Sequence, residues 1–376
     1  MAAVKAGIWR RVWLNTHLWI GAGLLVALAP LGLSGAALVW DVQLDRMMSA
    51  GHYVAAGDEP RLGASAYLAQ GQAAFGNRAR ANQVRYPYNP GDPVVVSGRL
   101  SGASPPGGPR RSLNAWLDPA SGKLLDVGDP RATAIGSIHR LHGNLLLAAN
   151  GRPVVGWLGV AMTVSSLTGL WLWWPRGAFA AGFGWRRGPH MFSNLHHLGG
   201  FWICAPLFVL SVSGVYIAFP KASHALVGAP PPAARPGGGA IRDTAGPTVP
   251  ARMTPDQAAA AVLQARPGAS LVTLQTPEGG RHPVWRVQVA GAGTNPVSLS
   301  VDDATGAVRE ERPGAAQSPA DPLSRQIREI HTGDETALAW KVVITAAGVA
   351  PTLLGATGLV IWLRRPRRPR LSKVAA

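Results

Sequence analysis

Four long stretches of the chain contain no charged residue and consist mainly of apolar side chains. Each exceeds 20 residues, which is about the length that a helix needs to cross the hydrocarbon core of a membrane. A buried helix of a soluble protein would be shorter and would carry a polar stripe. We therefore predict a membrane bundle of four transmembrane helices, at 18–40, 154–174, 198–219 and 342–363.

The two long segments between these spans, 41–153 and 220–341, carry the patterns of small folded domains. In the first, a helix is predicted over 62–75, and strands follow at 81–86, 93–96, 113–117 and 123–127. In the second, Thr254 and Pro255 are typical of a helix start. That helix runs to Gln264 and precedes strands at 270–275, 284–290 and 297–301. We expect two small α+β domains, each with one helix against a few antiparallel strands.

The chain also repeats itself. When His17 is placed over His196, Ser34-Gly35 falls on Ser213-Gly214. When His142 is placed over His331, Thr168-Gly169 falls on Thr357-Gly358, and the turn that begins at Asp118 matches the one that begins at Asp302. The pattern indicates a duplicated unit of span, outer domain and span. Parallel repeats of this kind imply a pseudo-twofold axis along the membrane normal.

The net charge is +17, and the positions of the basic residues indicate how the chain is oriented in a membrane. Basic residues flank spans on the cytoplasmic side of a membrane. We therefore assign 1–17, 175–197 and the tail 364–376 to the cytoplasmic side of the membrane, and the two long segments to the outside. This distribution argues against nucleic acid as a partner. The first span is too long for a signal peptide, and we expect it to be retained. The basic residues that flank the spans form three clusters, which are Lys5, Arg10 and Arg11; Arg176, Arg186 and Arg187; and Arg364, Arg365, Arg367, Arg368, Arg370 and Lys373.

Four histidines occupy equivalent positions in the two copies. His17 and His196 stand at the cytoplasmic ends of two spans, and His142 and His331 lie near the outer ends of the other two. The twofold axis would set each pair of imidazoles face to face, which is the geometry of a bis-histidine b-type haem. We predict two b-type haems, one near each membrane face, with the haem iron as the only metal.

Other interpretations of these histidines remain open. A single histidine at a membrane interface is usually a surface group, and zinc or copper would require a tighter cluster of ligands. His197 neighbours His196, and His139 precedes His142 by one helical turn, so both are weaker candidates as ligands. The Ser-Gly and Thr-Gly pairs let something large approach the backbone or simply pack helices closely.

Little else in the sequence points to catalysis. Cys204 is the only cysteine, so the chain can form neither an internal disulfide nor a covalent haem attachment. Phosphate-binding, zinc-protease, nucleophile-elbow and dinucleotide motifs are absent from the sequence. An electron donor would therefore be separate, either a membrane quinol or a cytoplasmic reductase. Exposed candidates for substrate contact form no constellation; they are His52, Tyr53, Arg85, Tyr86, Tyr88 and His282.

Several local motifs together resemble the PepSY-associated transmembrane family. They are THLWIG at 16–21, LHGNLLL at 141–147, NLHHLG at 194–199, IHTG at 330–333 and the Thr-Gly-Leu triplets at 168–170 and 357–359. The resemblance covers almost the whole chain. It implies haem-bearing spans, periplasmic PepSY-like domains and reduction of ferric chelates outside the inner membrane, as in ferric-siderophore reductases. Some members of the family carry a cytoplasmic flavin reductase part, which has no counterpart here.

These observations lead to three functional hypotheses. The first is a dihaem inner-membrane reductase that takes part in iron uptake by reducing a ferric siderophore bound between the outer domains. The second is a non-catalytic PepSY membrane protein that binds or regulates a periplasmic partner. The third is a haem or iron-chelate transporter, although four spans without charged midplane residues offer little room for a pathway. We favour the reductase.

Overall fold

The computed structural model describes residues 2–53, 57, 59–100, 111–147, 150–174, 191–227, 251–277, 283–291, 296–310, 320–334 and 336–364. The chain forms two compact units. The helical unit comprises Met1–Asp41, Ile138–Val227 and Asp321–Ala376, and the sheet unit comprises Val42–Ser137 and Gly228–Ala320.

Eleven helices occur among the described residues, with one 3₁₀ turn at Ala50–Tyr53. In chain order they are α1 (Ala2–Gly23), α2 (Leu25–Leu38), α3 (Asp41–Met48), α4 (Ala64–Phe75), α5 (Ala134–Asn144), α6 (Gly151–Trp173), α7 (Met191–Ala218), α8 (Pro220–Leu226), α9 (Pro255–Ala265), α10 (Ala320–Thr332) and α11 (Leu338–Leu363). The strands are β1 (Ala79–Arg85), β2 (Val94–Leu100), β3 (Ser112–Leu117), β4 (Leu124–Gly128), β5 (Ser270–Gln275), β6 (Val284–Ala290), β7 (Val297–Asp302) and β8 (Val308–Glu310).

Among the described residues, α6, α7 and α11 are long and apolar enough to cross a membrane. A fourth crossing exists if the pair formed by Ile8–Gly23 and Leu25–Leu38 is counted as one span, because these helices meet at a bend of 67°. The uncharged pattern at 18–40 predicted one uninterrupted helix there. Gly21 and Gly23 precede the bend, and glycine is a poor helix former, so the helix is weakest at this point.

The sheet unit differs from the two separate domains that we expected. All its strands join one antiparallel sheet in the order β4-β3-β2-β1-β5-β6-β7-β8. The two copies meet where β1 pairs with β5, with Val84 opposite Leu274. Two further backbone bonds, Tyr86 N–H to Val272 O and Thr276 N–H to Asn82 O, are both 2.9 Å long and are related by the same repeat. The strand pairing is therefore twofold symmetric about the Val84–Leu274 pair.

The repeated turns predicted from the sequence have the same hydrogen bonds. Asp118 Oδ1 accepts from the N–H and the hydroxyl of Ser121, and Asp302 Oδ1 accepts likewise from Thr305. Gly122 and Gly306 close these turns with φ of 70° and 69°, a conformation that favours glycine. The local sequence thus determines the turn in each copy.

One face of the sheet is covered by α4 and α9, which bury Tyr67, Phe75 and Trp285 almost completely. The start of α9 follows the prediction, because Thr254 and Gln257 form a reciprocal capping box. Such a cap stabilises a helix by about 1 kcal/mol. The burial of these side chains against alternate strand positions is what sets the register of the sheet.

Candidate functional site

The four repeated histidines each lie against one turn of another helix in the helical unit. In every case the turn ends in a Ser-Gly or Thr-Gly pair. His17 contacts α6 and His196 contacts α11, whereas His142 contacts α2 and His331 contacts α7. We call His17 and His196 the first pair, and His142 and His331 the second pair.

In the first pair, Nδ1 of each imidazole approaches two oxygen atoms. His17 Nδ1 lies 3.1 Å from the carbonyl oxygen of Ser165 and 3.2 Å from Oγ1 of Thr168. His196 Nδ1 lies 3.0 Å from the carbonyl oxygen of Leu354 and 3.1 Å from Oγ1 of Thr357. The two environments thus share these two contacts, and Oγ of Ser165, 3.4 Å from His17 Nδ1, has no counterpart at Leu354.

The second pair is held in the same way by serines. His142 Nδ1 lies 2.9 Å from the carbonyl oxygen of Leu31 and 3.5 Å from Oγ of Ser34. His331 Nδ1 lies 2.9 Å from Oγ of Ser213. The Ser213 hydroxyl donates to the carbonyl oxygen of Leu210 in its own helix. It therefore accepts a hydrogen bond from Nδ1–H of His331.

The glycine of each pair makes room for the imidazole edge. A Cβ atom built on Gly169 or Gly358 would lie 3.0 or 3.2 Å from Cε1 of its partner histidine in the first pair. In the second pair, the same atom on Gly35 or Gly214 would lie 2.7 or 3.2 Å from Cε1. Such distances are shorter than ordinary carbon contacts of about 3.5–4.0 Å, so any side chain at these positions would displace the ring.

These contacts determine the protonation of the rings. A carbonyl oxygen can only accept, so the Nδ1 atom that contacts it carries the proton, and Nε2 keeps a lone pair. The second pair lies on α5 and α10, outside the membrane-length helices. Burial lowers the pKa of His142, and burial together with the nearby His142 lowers the pKa of His331 to about 4. A lowered pKa favours the neutral ring, which is the form that ligates a metal.

The two rings of each pair lie close together. The ring centroids of His17 and His196 are 6.2 Å apart, with ring planes at 85°. Those of His142 and His331 are 6.1 Å apart, with planes at 41°. Two imidazoles on opposite sides of one metal ion, each with a metal–nitrogen bond of about 2 Å, have ring centroids roughly 6 Å apart. Both separations match that value.

A cavity of about 390 Å³ adjoins the first pair. Its volume falls in the range of about 300–1,000 Å³ that is typical of ligand and cofactor sites. The lining is mainly apolar and comes from α1, α2, α6, α7 and α11; it includes His17, His196, Gly169, Gly358 and Arg10. Within the described part of the chain, no group of three or more His, Cys, Asp or Glu side chains converges. The titratable side chains that line this cavity are Arg10, His17, His196, His197 and Cys204.

The alternative histidines lie elsewhere. His197 also borders the cavity, but its ring lies 5.8 Å from that of Trp173. His139 is exposed on α5.

The residues that we considered for substrate contact differ in their exposure to solvent. We expected His52 to be exposed, but it is buried, stacked on Trp116 and bonded through Nε2 to Asp126 at 2.7 Å. Tyr88 and Arg85 are exposed, Tyr53 and Tyr86 are half-buried, and His282 lies outside the described residues. In Tyr53 and Tyr86, burial raises the pKa of the phenol above its ordinary value. Among the residues that the structure describes, these candidates do not form one site.

The sequence showed the Ser-Gly and Thr-Gly pairs but not which histidine each pair contacts. The spacing showed that each pair repeats with its own span. The sequence does not indicate that a Ser-Gly or Thr-Gly pair on one helix contacts a histidine of another helix, since that contact depends on tertiary packing. The carbonyl oxygen three residues before each serine or threonine was also missed, because every residue type supplies one.

A family model described as the PepSY-associated TM region matches residues 14–365, nearly the whole chain. No curated protein sequence matches the chain significantly.

Proposed function

This chain belongs to the PepSY-associated TM family, and from that premise we propose that it is a dihaem membrane reductase for ferric chelates. The observation that carries the proposal is the separation of the paired imidazoles, 6.2 Å and 6.1 Å between ring centroids. In each pair, Nδ1 is engaged by the protein, so that Nε2 is left for a ligand. We therefore assign one b-type haem to each pair.

The residues present fit that cofactor. Metal-binding histidines usually donate their second N–H to a carbonyl oxygen or hydroxyl, which fixes the ring orientation and raises ligand basicity. Ser165, Leu354 and Leu31 supply such carbonyl oxygens here. The glycines let the rings lie close to the neighbouring helix, and the cavity beside the first pair has a mainly apolar lining. Bound haem would supply one-electron redox chemistry between the two sites.

The proposal includes a four-span layout in a bacterial inner membrane. The bent pair α1–α2 counts as the first span, and α6, α7 and α11 are the others. The first pair lies near the cytoplasmic ends of its spans, with both termini inside, and the second pair lies toward the periplasm. The sheet unit is then periplasmic. Each layer contains one imidazole from each copy of the repeat, as the twofold relationship requires.

The reaction is a transfer of single electrons. A separate donor, either a membrane quinol or a cytoplasmic reductase, delivers electrons near His17 and His196. A ferric chelate on the periplasmic side takes up one electron per iron and becomes a ferrous chelate. Chelators of iron(III) hold iron(II) far less well, so the metal is released for uptake. The chain's own contribution is to position the redox centres and to exclude water from them.

The visible spectrum of the purified protein tests the proposal. The chain is produced in cells with haem available, and spectra are recorded before and after dithionite. We expect a b-type spectrum at two haems per chain and reoxidation of the reduced protein by a ferric chelate. Absence of any dithionite-reducible haem rejects the proposal and favours a PepSY membrane protein that binds a partner. Haem that leaves the protein during turnover would instead favour a transporter.

A further inference from the structure

The cavity beside the first pair extends along the helices on both sides of the two imidazoles. On α7 its lining begins at Ser193, one turn before His196, and continues to Leu207. On α1 its lining begins at Arg10, two turns before His17. The histidines are therefore flanked by cavity on either side. We call the end at Arg10 and Ser193 the shallow end, and the end at Leu207 the deep end.

The deep end is mainly apolar. Its lining residues follow the histidine along the chain on α2 and α7, and they precede the Thr-Gly pair on α6 and α11. The largest apolar side chains there are Leu28, Met162, Leu207 and Pro351. Ser166 and Cys204 also line this part of the cavity, and the Cys204 thiol donates to the carbonyl oxygen of Ser166 at 3.0 Å. The apolar edge of a ligand is stabilised at this end, because its surface is removed from water.

The shallow end has a different character because of Arg10. Arg10, Leu14 and His17 are spaced by four and three residues, so they lie on one face of α1. At a rise of 1.5 Å per residue, Arg10 is about 10 Å from His17 along the helix axis. The described residues that line the cavity include one arginine, which is Arg10, and no lysine, aspartate or glutamate. A ligand that reaches the shallow end thus meets a permanent cation and the hydroxyl of Ser193.

The preference for basic residues at the cytoplasmic end of a span explains an arginine in this region but not its direction. Arg11 and Arg364 stand at the same ends of α1 and α11 and are exposed, and neither lines the cavity. Arg11 follows Arg10 directly and therefore lies about 100° further round the helix. Arg364 lies over the ring of Phe192, 5.2 Å from its centroid. Orientation in the membrane requires only charge near the end of a span, whereas Arg10 also shares the cavity of the histidines.

We infer that Arg10 binds the propionate carboxylates of the haem at the first pair and thereby sets the direction of the macrocycle in the cavity. The inference rests on the proposed function and deepens it. Guanidinium groups pair with carboxylates in a bidentate manner. A carboxylate at the deep end would lose its hydration without gaining a cation, which is costly. The carboxylate edge of the ligand therefore belongs at the shallow end, and its apolar edge belongs at the deep end.

The test compares haem with its dimethyl ester, in which both propionates are esterified. The full-length chain is produced in cells that make no haem and is loaded in detergent. His331→Ala is the common background, because it confines haem to the first pair under the proposed assignment. With Arg10 present, we expect haem to bind at least about tenfold more tightly than the ester. Arg10→Gln should lose that preference through weaker binding of haem alone, and Arg10→Lys should keep part of it.

Arg11→Gln is the matched control, because it removes the same charge from the next residue of the same helix and from outside the cavity. The midpoint potential of the bound haem provides a second measurement. It should fall in Arg10→Gln, because a nearby cation favours the reduced form, which carries one positive charge less. In Arg11→Gln it should stay close to that of the parent chain, because an exposed charge further from the site is screened by water.

Every result either supports or overturns the inference. Equal binding of haem and ester by the parent chain overturns it, as do equal effects of Arg10→Gln and Arg11→Gln, which would assign Arg10 to orientation of the span. Normal haem binding by Arg10→Gln with weaker binding to anionic lipid vesicles would assign Arg10 to a lipid phosphate instead. Should Arg10→Gln not be recovered, the parent chain must prefer haem and Arg10→Lys must reduce that preference.

The same samples separate this inference from the proposed function. Absence of a dithionite-reducible spectrum with either ligand rejects the reductase proposal itself. A haem spectrum whose intensity and potential do not depend on Arg10 rejects the role of Arg10 alone and leaves the assignment of the paired histidines in place.

Discussion

Gly35 lies so close to His142 that a Cβ atom on the glycine would be only 2.7 Å from Cε1 of the imidazole. The same relationship joins Gly214 to His331, and the first pair of histidines repeats it with Gly169 and Gly358. Four close approaches at equivalent places favour a common purpose, which is to hold an imidazole at a set distance from the helix that anchors its Nδ1 atom.

Replacement of Gly35 by alanine is therefore expected to disturb the second pair alone. The new methyl group would push the ring of His142 away from α2, and the haem content should fall toward one per chain. Gly143→Ala is the matched control, because Gly143 is also helical and a Cβ atom there meets nothing within 4 Å. Haem is counted by the pyridine haemochrome method. Full haem content in Gly35→Ala would contradict the assignment.

The choice between the adjacent residues His196 and His197 is open to direct measurement. His196→Ala should remove one haem, because the ring anchored by Leu354 and Thr357 would be lost. His197→Ala should retain both haems and change the environment of Trp173, whose ring is 5.8 Å away. His139→Ala is a second control, in the other layer. Loss of haem from His197→Ala with retention in His196→Ala would reverse the assignment.

The hydroxyl of Thr168 is expected to strengthen ligation by His17. Thr168→Val keeps the shape of the side chain and removes the contact of 3.2 Å with Nδ1, while the carbonyl oxygen of Ser165 remains. Haem affinity, measured by transfer to apomyoglobin, should fall by up to about tenfold. Thr163→Val is the control, since that hydroxyl bonds to Ser211. Equal losses in both variants would indicate a packing effect.

The sheet unit should depend on pH through Asp303. This buried carboxylate accepts hydrogen bonds from the N–H groups of Arg252 and Met253 and from the indole of Trp285. Burial raises its pKa, but the hydrogen bonds together lower it below the ordinary value. The stabilisation is thus present above the unfolded-state pKa of about 3.9 and is lost as pH falls through the lower folded-state pKa.

Asp303→Asn should accordingly destabilise the sheet unit by about 1–3 kcal/mol near pH 6. The difference from the native protein should begin to shrink below about pH 4, where the aspartate becomes protonated in the unfolded chain, and should be lost as pH falls through the lower folded-state pKa. Unfolding is followed by tryptophan fluorescence. Glu310→Gln, which removes an exposed ion pair with Arg266, is expected to cost less than about 1 kcal/mol. A difference that does not vary with pH would show that the charge of Asp303 is unimportant.

Local patterns in the sequence predicted much of this protein. The four uncharged stretches fall on membrane-length helices or on the bent pair, and the strand at 284–290 has the predicted bounds. The helix start at Thr254 is confirmed by its capping box. These features depend on neighbours a few residues apart, so the sequence displays them directly. The sequence repeat by itself also predicts that the four histidines form two pairs.

Tertiary structure alone decided the rest. The pairing of β1 with β5 merged two expected domains into one sheet, and edge strands carry no local mark of their partner. The bend near Leu24, the burial of His52 against Trp116 and the contact of each histidine with a Ser-Gly or Thr-Gly turn depend on residues far apart in the chain. Helical periodicity specifies which side chains share a face. Only packing determines what that face meets.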